Sequence, residues 1–316
     1  MQQWDAALKQ AIDRGRQAAP AGQVATYIPE LAGADPGLVG IAAVAPDGSL
    51  HVGGDCAVPF TLQSISKVIT LMIALMEAGE EAVFARVGME PTGDAFNSMV
   101  RLETLPEHKP LNPFINAGAI AIADMIPGQS FEERLERVLH FVRRLSGNDQ
   151  ISVNKKVAHS EWSTGHRNRA LAYFMKDAGT LKRGVEETLK LYFNQCAISV
   201  TCADLAQIGA RLAYPDGTIP RQVARTALAF MTTCGLYNGS GEFAVRVGMA
   251  AKSGVGGGIL AVTPGRAAVA TFGPALDRRG NSSAGVAMLQ HLSEELRLSQ
   301  FEAGSSHADA DKAGAL

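Results

Sequence analysis

The stretch "TLQSISKVITLMIALMEAG" (Thr61–Gly79) sets two serines and a lysine directly before an apolar run. On a helix, Ser64 and Lys67 are three residues apart and share a face. Ser66 points about 100° away from the lysine. A cation in a first turn opposes the helix dipole. "VITLMIALM" offers no polar face, so this helix is expected to be enclosed by protein. Enclosure disfavours the ammonium form of a lysine. A neutral Lys67 could then take the proton of the Ser64 hydroxyl, a nucleophile–base pair that needs no histidine. The plainer alternative makes Ser64 an N-cap and Lys67 a solvated first-turn residue. The two residues by themselves leave both readings open.

Few other residues stand out singly. Asn116 lies within "INAGAIAIA", where a polar amide in a small apolar run needs a partner. Glu161 alone reads as a solvated loop acid, and Asn168 as a helix-surface amide. Tyr192 and Tyr237 read as half-buried aromatics with a satisfied hydroxyl. Lys252 reads as a surface lysine on a strand-like segment. No HExxH, GxSxG or GxGxxG stands in a supporting context, and "GMAAKSG" (Gly248–Gly254) fails the spacing of a phosphate loop. The seven histidines are scattered without ligand spacing, so no metal site is expected.

The elements that must carry these residues follow from periodicity. "GLVGIAAVAPDGSLHVGGD" (Gly37–Asp55) holds two β-like runs around the turn signal Pro46-Asp47-Gly48. From Ser64 the period becomes helical. In "SFEERLERVLHFVRRL", Phe131, Leu135, Val138, Val142 and Leu145 share a face, and Ser130 with Glu133 forms a capping box. Further helices are expected near 167–176, 185–194, 203–213 and 221–233, with Pro220 suited to a first turn. "GGILAVTP" and "AAVATFG" read as a hairpin about Pro264-Gly265, followed by a helix near 283–298. Strands at both ends thus flank a helical middle. The expected division is an α/β sheet domain from residues 1–66 and 235–300, with an all-helical domain, 67–234, inserted. The small polar tail, 301–316, is expected to be disordered. A cleft between two such units is a usual place for a small-molecule site.

The chain has 316 residues, 47% of them hydrophobic, enough for one large or two modest domains. A net charge of −2 gives no reason to expect nucleic acid or an anionic membrane as partner. The longest apolar run, 68–76, is shorter than the ~20 residues needed to span a bilayer. The N-terminal segment lacks the apolar core of a secretory signal. Cys56, Cys196, Cys202 and Cys234 form no CxxC pair and are expected to be reduced thiols in a cytoplasmic protein.

Ser-x-x-Lys followed by Lys252-Ser253-Gly254 resembles the serine β-lactamase and penicillin-binding superfamily, whose third motif is Lys-Thr-Gly. Longer segments resemble the serine-dependent glutaminases more closely. They are "GQVATYIPELA", "FTLQSISKV", "LNPFINAGAI", "SEWSTGHRNRALAYFM", "YFNQCAISVTCADLA" and "CGLYNGSGEFAVRVGMAAKSGVGGGILAVTPG". They run in family order from about Gly22 to Gly265 and cover most of the chain.

The resemblance implies a β-lactamase/transpeptidase-like α+β fold, with an antiparallel sheet, flanking helices and a helical insertion. It implies hydrolysis of L-glutamine to L-glutamate and ammonia through a glutamyl-Ser64 ester, with no cofactor, in a homodimer or homotetramer. Ser64 would be the nucleophile, Lys67 its base, and Tyr237 a proton shuttle to the leaving ammonia. The N–H groups of Ser64 and Val255 would form the oxyanion hole, where glycines let backbone approach a ligand. Glu161 would hold the substrate ammonium. Asn116, Asn168 and Tyr192 would bind its polar groups, Tyr27 would lie nearby, and Lys252 would support the site from behind. The Ser-Asp-Asn element and the deacylating glutamate of the lactamases are not evident, which leaves the activation of water open, with Tyr237 and Lys67 working in reverse as the expected pair. The alternatives are a penicillin-recognising hydrolase or esterase of the same fold, and a non-catalytic ligand-binding relative.

Overall fold

The computed structural model describes residues 2–95, 97–104 and 108–302. In chain order, α1 (Gln2–Ala18) and the short α2 (Pro29–Ala32) precede strands β1 (Gly40–Val44), β2 (Leu50–Gly54) and β3 (Phe60–Thr61). Helices α3 (Ser66–Arg86), α4 (Val100–Thr104), α5 (Asn116–Met125) and α6 (Phe131–Ser146) follow. After α7 (Lys155–Thr164), α8 (His166–Asp177) and α9 (Val185–Cys196) come β4 (Ser199–Val200), α10 (Cys202–Ala213), α11 (Arg221–Cys234) and α12 (Ser240–Arg246). Strands β5 (Ala250–Ser253), β6 (Gly258–Thr263) and β7 (Ala267–Phe272) then lead to α13 (Ser283–Leu296).

Among the described residues, five strands form one antiparallel sheet in the order β2-β1-β7-β6-β5. β1 therefore pairs with β7 across most of the chain length, with Gly40 opposite Phe272. Alternation along the strands sorts side chains between two layers. Ile41, Ala43, Ile259, Ala261 and Val269 enter a core closed by α1 and α13. Ala42, Val44, Leu260, Val262, Ala268 and Ala270 enter the larger core that also holds α3, α5, α9 and α10. Both faces are covered, which is why β6 and β7 read as unbroken apolar runs rather than alternating ones. α10 lies on β1, β6 and β7, and α11 on β5, so two helices of the middle segment also serve as sheet cover.

The local signals mostly act as expected, with instructive departures. Pro46-Asp47-Gly48 does turn the chain between β1 and β2, with Asp47 Oδ1 accepting the Ser49 N–H at 3.0 Å. Ser130 caps α6 by accepting the Glu133 N–H, but the Glu133 carboxylate accepts from Gln129 N–H rather than Ser130, so the reciprocal half of the expected box is absent. The complete box is at Thr201 and Asp204, before α10. Pro220 sits one residue ahead of α11 as its N-cap, and α13 ends at Leu296, two residues early. Helix α3 is preceded by a 3-10 turn, Gln63–Ile65, so Ser64 stands in that turn rather than in the helix. Phe301 and Glu302 are in a turn, and the rest of the tail, 303–316, lies outside the described residues.

Candidate active site

The Ser64 turn is anchored from both sides. β3 pairs with β4, and the Leu62 N–H donates to Ile198 O at 2.8 Å. Gln63 then adopts φ +48, a left-handed conformation uncommon for a residue with a side chain. That bend starts the 3-10 turn and delivers Ser64 to a pocket wall and Lys67 to the interior. Ser66 is fully buried, its hydroxyl donating to Gln63 O at 2.7 Å, and it does not line the pocket. Of the two serines, only Ser64 lines the pocket.

Lys67 is enclosed, as the apolar run required. Its Nζ donates to Phe114 O at 3.0 Å and to Asn116 Oδ1 at 2.8 Å. Burial lowers its pKa from the usual 10.5 to about 8, while the nearby Cys196 and Glu161 pull the other way. Two acceptors match the two N–H bonds of a neutral amine and leave its lone pair available. Lys252, on β5, is also fully buried, with Nζ donating to Gly235 O at 2.8 Å and Ser253 O at 2.7 Å. Burial, then repulsion from Lys67, holds its pKa well below the ordinary lysine value.

Tyr237 links Lys252 to the serine. Its ring centroid lies 4.5 Å from Lys252 Nζ, and its hydroxyl hydrogen-bonds with Ser64 and Ser253. Ser253 Oγ in turn donates to Asn281 Oδ1 at 2.6 Å. Burial pushes the Tyr237 pKa up to about 12, against those two hydrogen bonds, so the phenol keeps its proton at neutral pH. Close backbone packing sets this geometry. A Cβ on Gly235 would fall 1.7 Å from Ala251 O, so only glycine lets the segment before Tyr237 lie against β5. A Cβ on Gly254 would meet Leu62 O at 2.5 Å, which fixes the Val255 turn against the Ser64 turn.

The pocket beyond Ser64 is lined by Tyr27, Asn116, Glu161, Asn168, Tyr192 and Val255, all expected from the resemblance. Glu161 is not a loop acid: it stands on α7, which the sequence reading did not delineate, and it is 7% exposed. Burial raises its pKa from the usual 4.5 to about 7, opposed by a hydrogen bond from Gln63 and by the Lys67 charge. Asn116 opens α5 and bridges two groups, accepting from Lys67 and donating Nδ2–H to Asn168 Oδ1 at 2.9 Å. Tyr192 is buried on α9, hydrogen-bonded with Cys196, and burial first among the causes raises its pKa well above 10. Tyr27 stands at the rim with 56% of its surface exposed. Lys67 and Lys252 lie behind the lining.

The sequence reading missed Gln63, Thr164, Arg167 and Cys196, which also line this pocket. Their neighbours Ser64, Glu161 and Asn168 were the available signal, because side chains next to site residues on tight turns share the cavity. Among the described residues, no group of three or more His, Cys, Asp or Glu is placed to hold a metal ion, and no helix is long and apolar enough to cross a membrane.

A serine at a pocket wall, a buried lysine three residues on, and a second buried lysine on the edge strand behind the lining accompany a β-lactamase-like fold carrying a serine-type site. The comparisons narrow this class. The Glutaminase family model matches residues 22–301. A glutaminase of Clostridium botulinum is 51% identical over 301 residues, covering 93% of this chain and 99% of its own. The crystal structure of a probable glutaminase of Bacillus subtilis superimposes with a TM-score of 0.88 at 42% identity, covering 94% of this chain and 97% of its own. The B. subtilis glutaminase in covalent complex with 5-oxo-L-norleucine, formed by reaction with 6-diazo-5-oxo-L-norleucine, matches with a TM-score of 0.86 at 40% identity, covering 94% and 99%. The chain belongs to the glutaminase family, and its activity is hydrolysis of the side-chain amide of L-glutamine.

The shifted carboxyl of Glu161 generates a stability prediction. Its folded pKa is raised, so the destabilisation it causes is absent below about 4.5 and fully present above about 7. Glu161→Gln keeps an acceptor for Gln63 and removes the buried charge. We expect that variant to unfold in urea with about 3 kcal/mol more stability than the parent at pH 8, and no gain at pH 4.5. An equal effect at both pH values would show that Glu161 is not a buried charge.

Proposed function

We propose that Ser64 is the nucleophile, that Lys67 and Tyr237 move its proton, and that the pocket binds L-glutamine by its α-amino and α-carboxylate groups. The observation that carries this reading is the enclosed Lys67, with both hydrogens of its neutral form engaged and a pKa of about 8.

The reaction runs in two halves. Ser64 Oγ attacks the amide carbon, and its proton passes to Lys67, directly or through the Tyr237 hydroxyl that touches it. The N–H groups of Ser64 and Val255 receive the developing oxyanion; the close approach at Gly254 supports this pairing. Tyr237, protonated at neutral pH, gives its proton to the departing nitrogen and regains one from the Lys67 ammonium. Ammonia leaves, and water attacks the glutamyl ester by the same steps reversed. Glu161 pairs with the substrate ammonium. Asn168 spends its Oδ1 on Asn116, which leaves its NH₂ for the substrate carboxylate. Tyr192, Tyr27 and Asn116 complete the polar wall, and Lys252 holds Tyr237 from behind. The covalent adduct of the B. subtilis relative with a glutamine-like diazoketone supports a nucleophile in this pocket.

Expected outcomes separate the roles. Ser64→Ala abolishes ammonia release and modification by 6-diazo-5-oxo-L-norleucine, whereas Ser66→Ala retains substantial activity. Lys67→Arg is as inactive as Lys67→Ala, because arginine keeps the charge but does not lose a proton. In the parent, kcat/KM rises with pH through about 7, as Glu161 ionises, and again through about 8, as Lys67 becomes neutral. Ammonia assays on folded variants check these statements. Near-parental turnover by Lys67→Arg would exclude lysine as the base.

On the family resemblance alone, we also propose a homodimer or homotetramer working in the cytoplasm. Sedimentation velocity at micromolar concentration is expected to show one of these species, and a lone monomer peak would reject the assembly.

A further inference from the structure

Gln63 is the pocket residue whose placement the reaction scheme leaves unexplained. It is buried, it holds a left-handed backbone conformation, and its neighbour is the nucleophile. Both hydrogens of its amide are committed: Nε2 donates to Glu161 Oε1 at 2.9 Å and to Thr61 Oγ1 at 3.2 Å. Thr61 belongs to β3, which is pinned to β4. The Glu161 carboxylate is thus held by a rigid strand through one side chain, although α7 itself belongs to a different part of the fold.

We infer that Gln63 is a positioning and specificity residue, which orients Glu161 and keeps it a carboxylate so that the pocket selects amides carrying an α-ammonium group. This rests on the proposed pairing of Glu161 with the substrate ammonium. The physical case has three parts. A hydrogen bond donated to the charged form of an acid favours that form. Gln63 supplies the hydrogen bond that opposes the burial of Glu161. The other titratable groups acting with Glu161 are Lys67 on α3, Tyr192 and Cys196 on α9, and Tyr27 before α2. Of these only Lys67 favours the carboxylate, and Lys67 must lose its charge before it can act as the base. Gln63 is then the constant support. The bend at Gln63 ties this support to the nucleophile, since one residue both turns the chain toward Ser64 and reaches Glu161.

The test compares two amides, L-glutamine and glutaramate, which is glutamine without its α-amino group. Two variants are needed. Gln63→Met keeps length and loses the donors. Gln63→Asn accepts the left-handed backbone readily and withdraws the amide by one methylene. For both we expect kcat/KM for L-glutamine at pH 7 to fall about 10- to 100-fold, chiefly through KM. The loss should shrink as pH rises, with the acid limb displaced upward by about one unit or more. The kcat/KM for glutaramate should fall far less, so that the preference for L-glutamine over glutaramate drops about 10-fold or more. Equal losses on both substrates, an unmoved acid limb, or parental behaviour of Gln63→Asn would overturn the inference. If Gln63→Met fails to fold, Gln63→Asn alone decides. Glu161→Gln is measured alongside. Should it leave L-glutamine kcat/KM intact, the ammonium pairing itself fails and the inference falls with it. If it depresses L-glutamine alone while the Gln63 variants do not, only the role of Gln63 is rejected.

Discussion

The Lys67 amine sits inside a helix-packed core, where Phe114 O and Asn116 Oδ1 receive its hydrogens and water does not reach it. That enclosure costs stability, because a cation in such surroundings loses its hydration. The same cost gives the chain an amine that is partly neutral near physiological pH, the one proposed above as the base. The apolar α3 encloses the lysine, α5 begins where its amide can meet the lysine, and Tyr237 is drawn over β5 by a glycine that permits contact. A second buried lysine, Lys252, is held well below its ordinary pKa by burial and then by Lys67. The geometry reads as a set of devices for holding one amine in a protonation state that water would not allow.

Glu161 is the complementary case. Desolvation drives Lys67 toward neutrality, and it drives Glu161 toward neutrality as well. The two groups attract each other, and each partly restores the other's charge. A substrate ammonium that pairs with Glu161 weakens this attraction and favours the neutral amine. Binding glutamine would therefore help to prepare the base, a coupling of recognition and chemistry that follows from charge alone. An amide lacking the α-ammonium would gain neither the contact nor the coupling.

Several of these features were legible in the sequence, for reasons that can be stated. The β1–β2 hairpin shows itself because Pro46-Asp47-Gly48 separates two β-like runs. Helices α6, α8, α9, α10 and α11 show themselves because their local period is strong. Ser64, rather than Ser66, follows from spacing, although the residue stands in a 3-10 turn ahead of the helix. The polar residues were another matter. Nothing local shows that Glu161 is buried, because its burial comes from α9, the Ser64 turn and Tyr27, all distant in the chain. Nor does anything local show that Asn116 bridges Lys67 and Asn168. Gln63 was passed over because a glutamine beside a serine carries no pattern; its role depends on a left-handed bend and a partner 98 positions away. Those residues became visible from the sequence only through family resemblance, and Gln63 not even then. The helix cap at Ser130 shows the same limit on a smaller scale, since Glu133 takes Gln129 rather than the expected partner.

The protonation state of Lys67 in the resting protein tests this account most directly. Lysines labelled with ¹³C at Cε can be titrated by NMR in the parent, with Lys67 assigned by its absence in Lys67→Met. The account requires a midpoint close to 8 for Lys67 with Glu161 intact and no ligand, falling when L-glutamine, which brings an ammonium and an uncharged side-chain amide, occupies the pocket of the Ser64→Ala variant. A midpoint at the ordinary lysine value of about 10.4, unaffected by ligand, would contradict it.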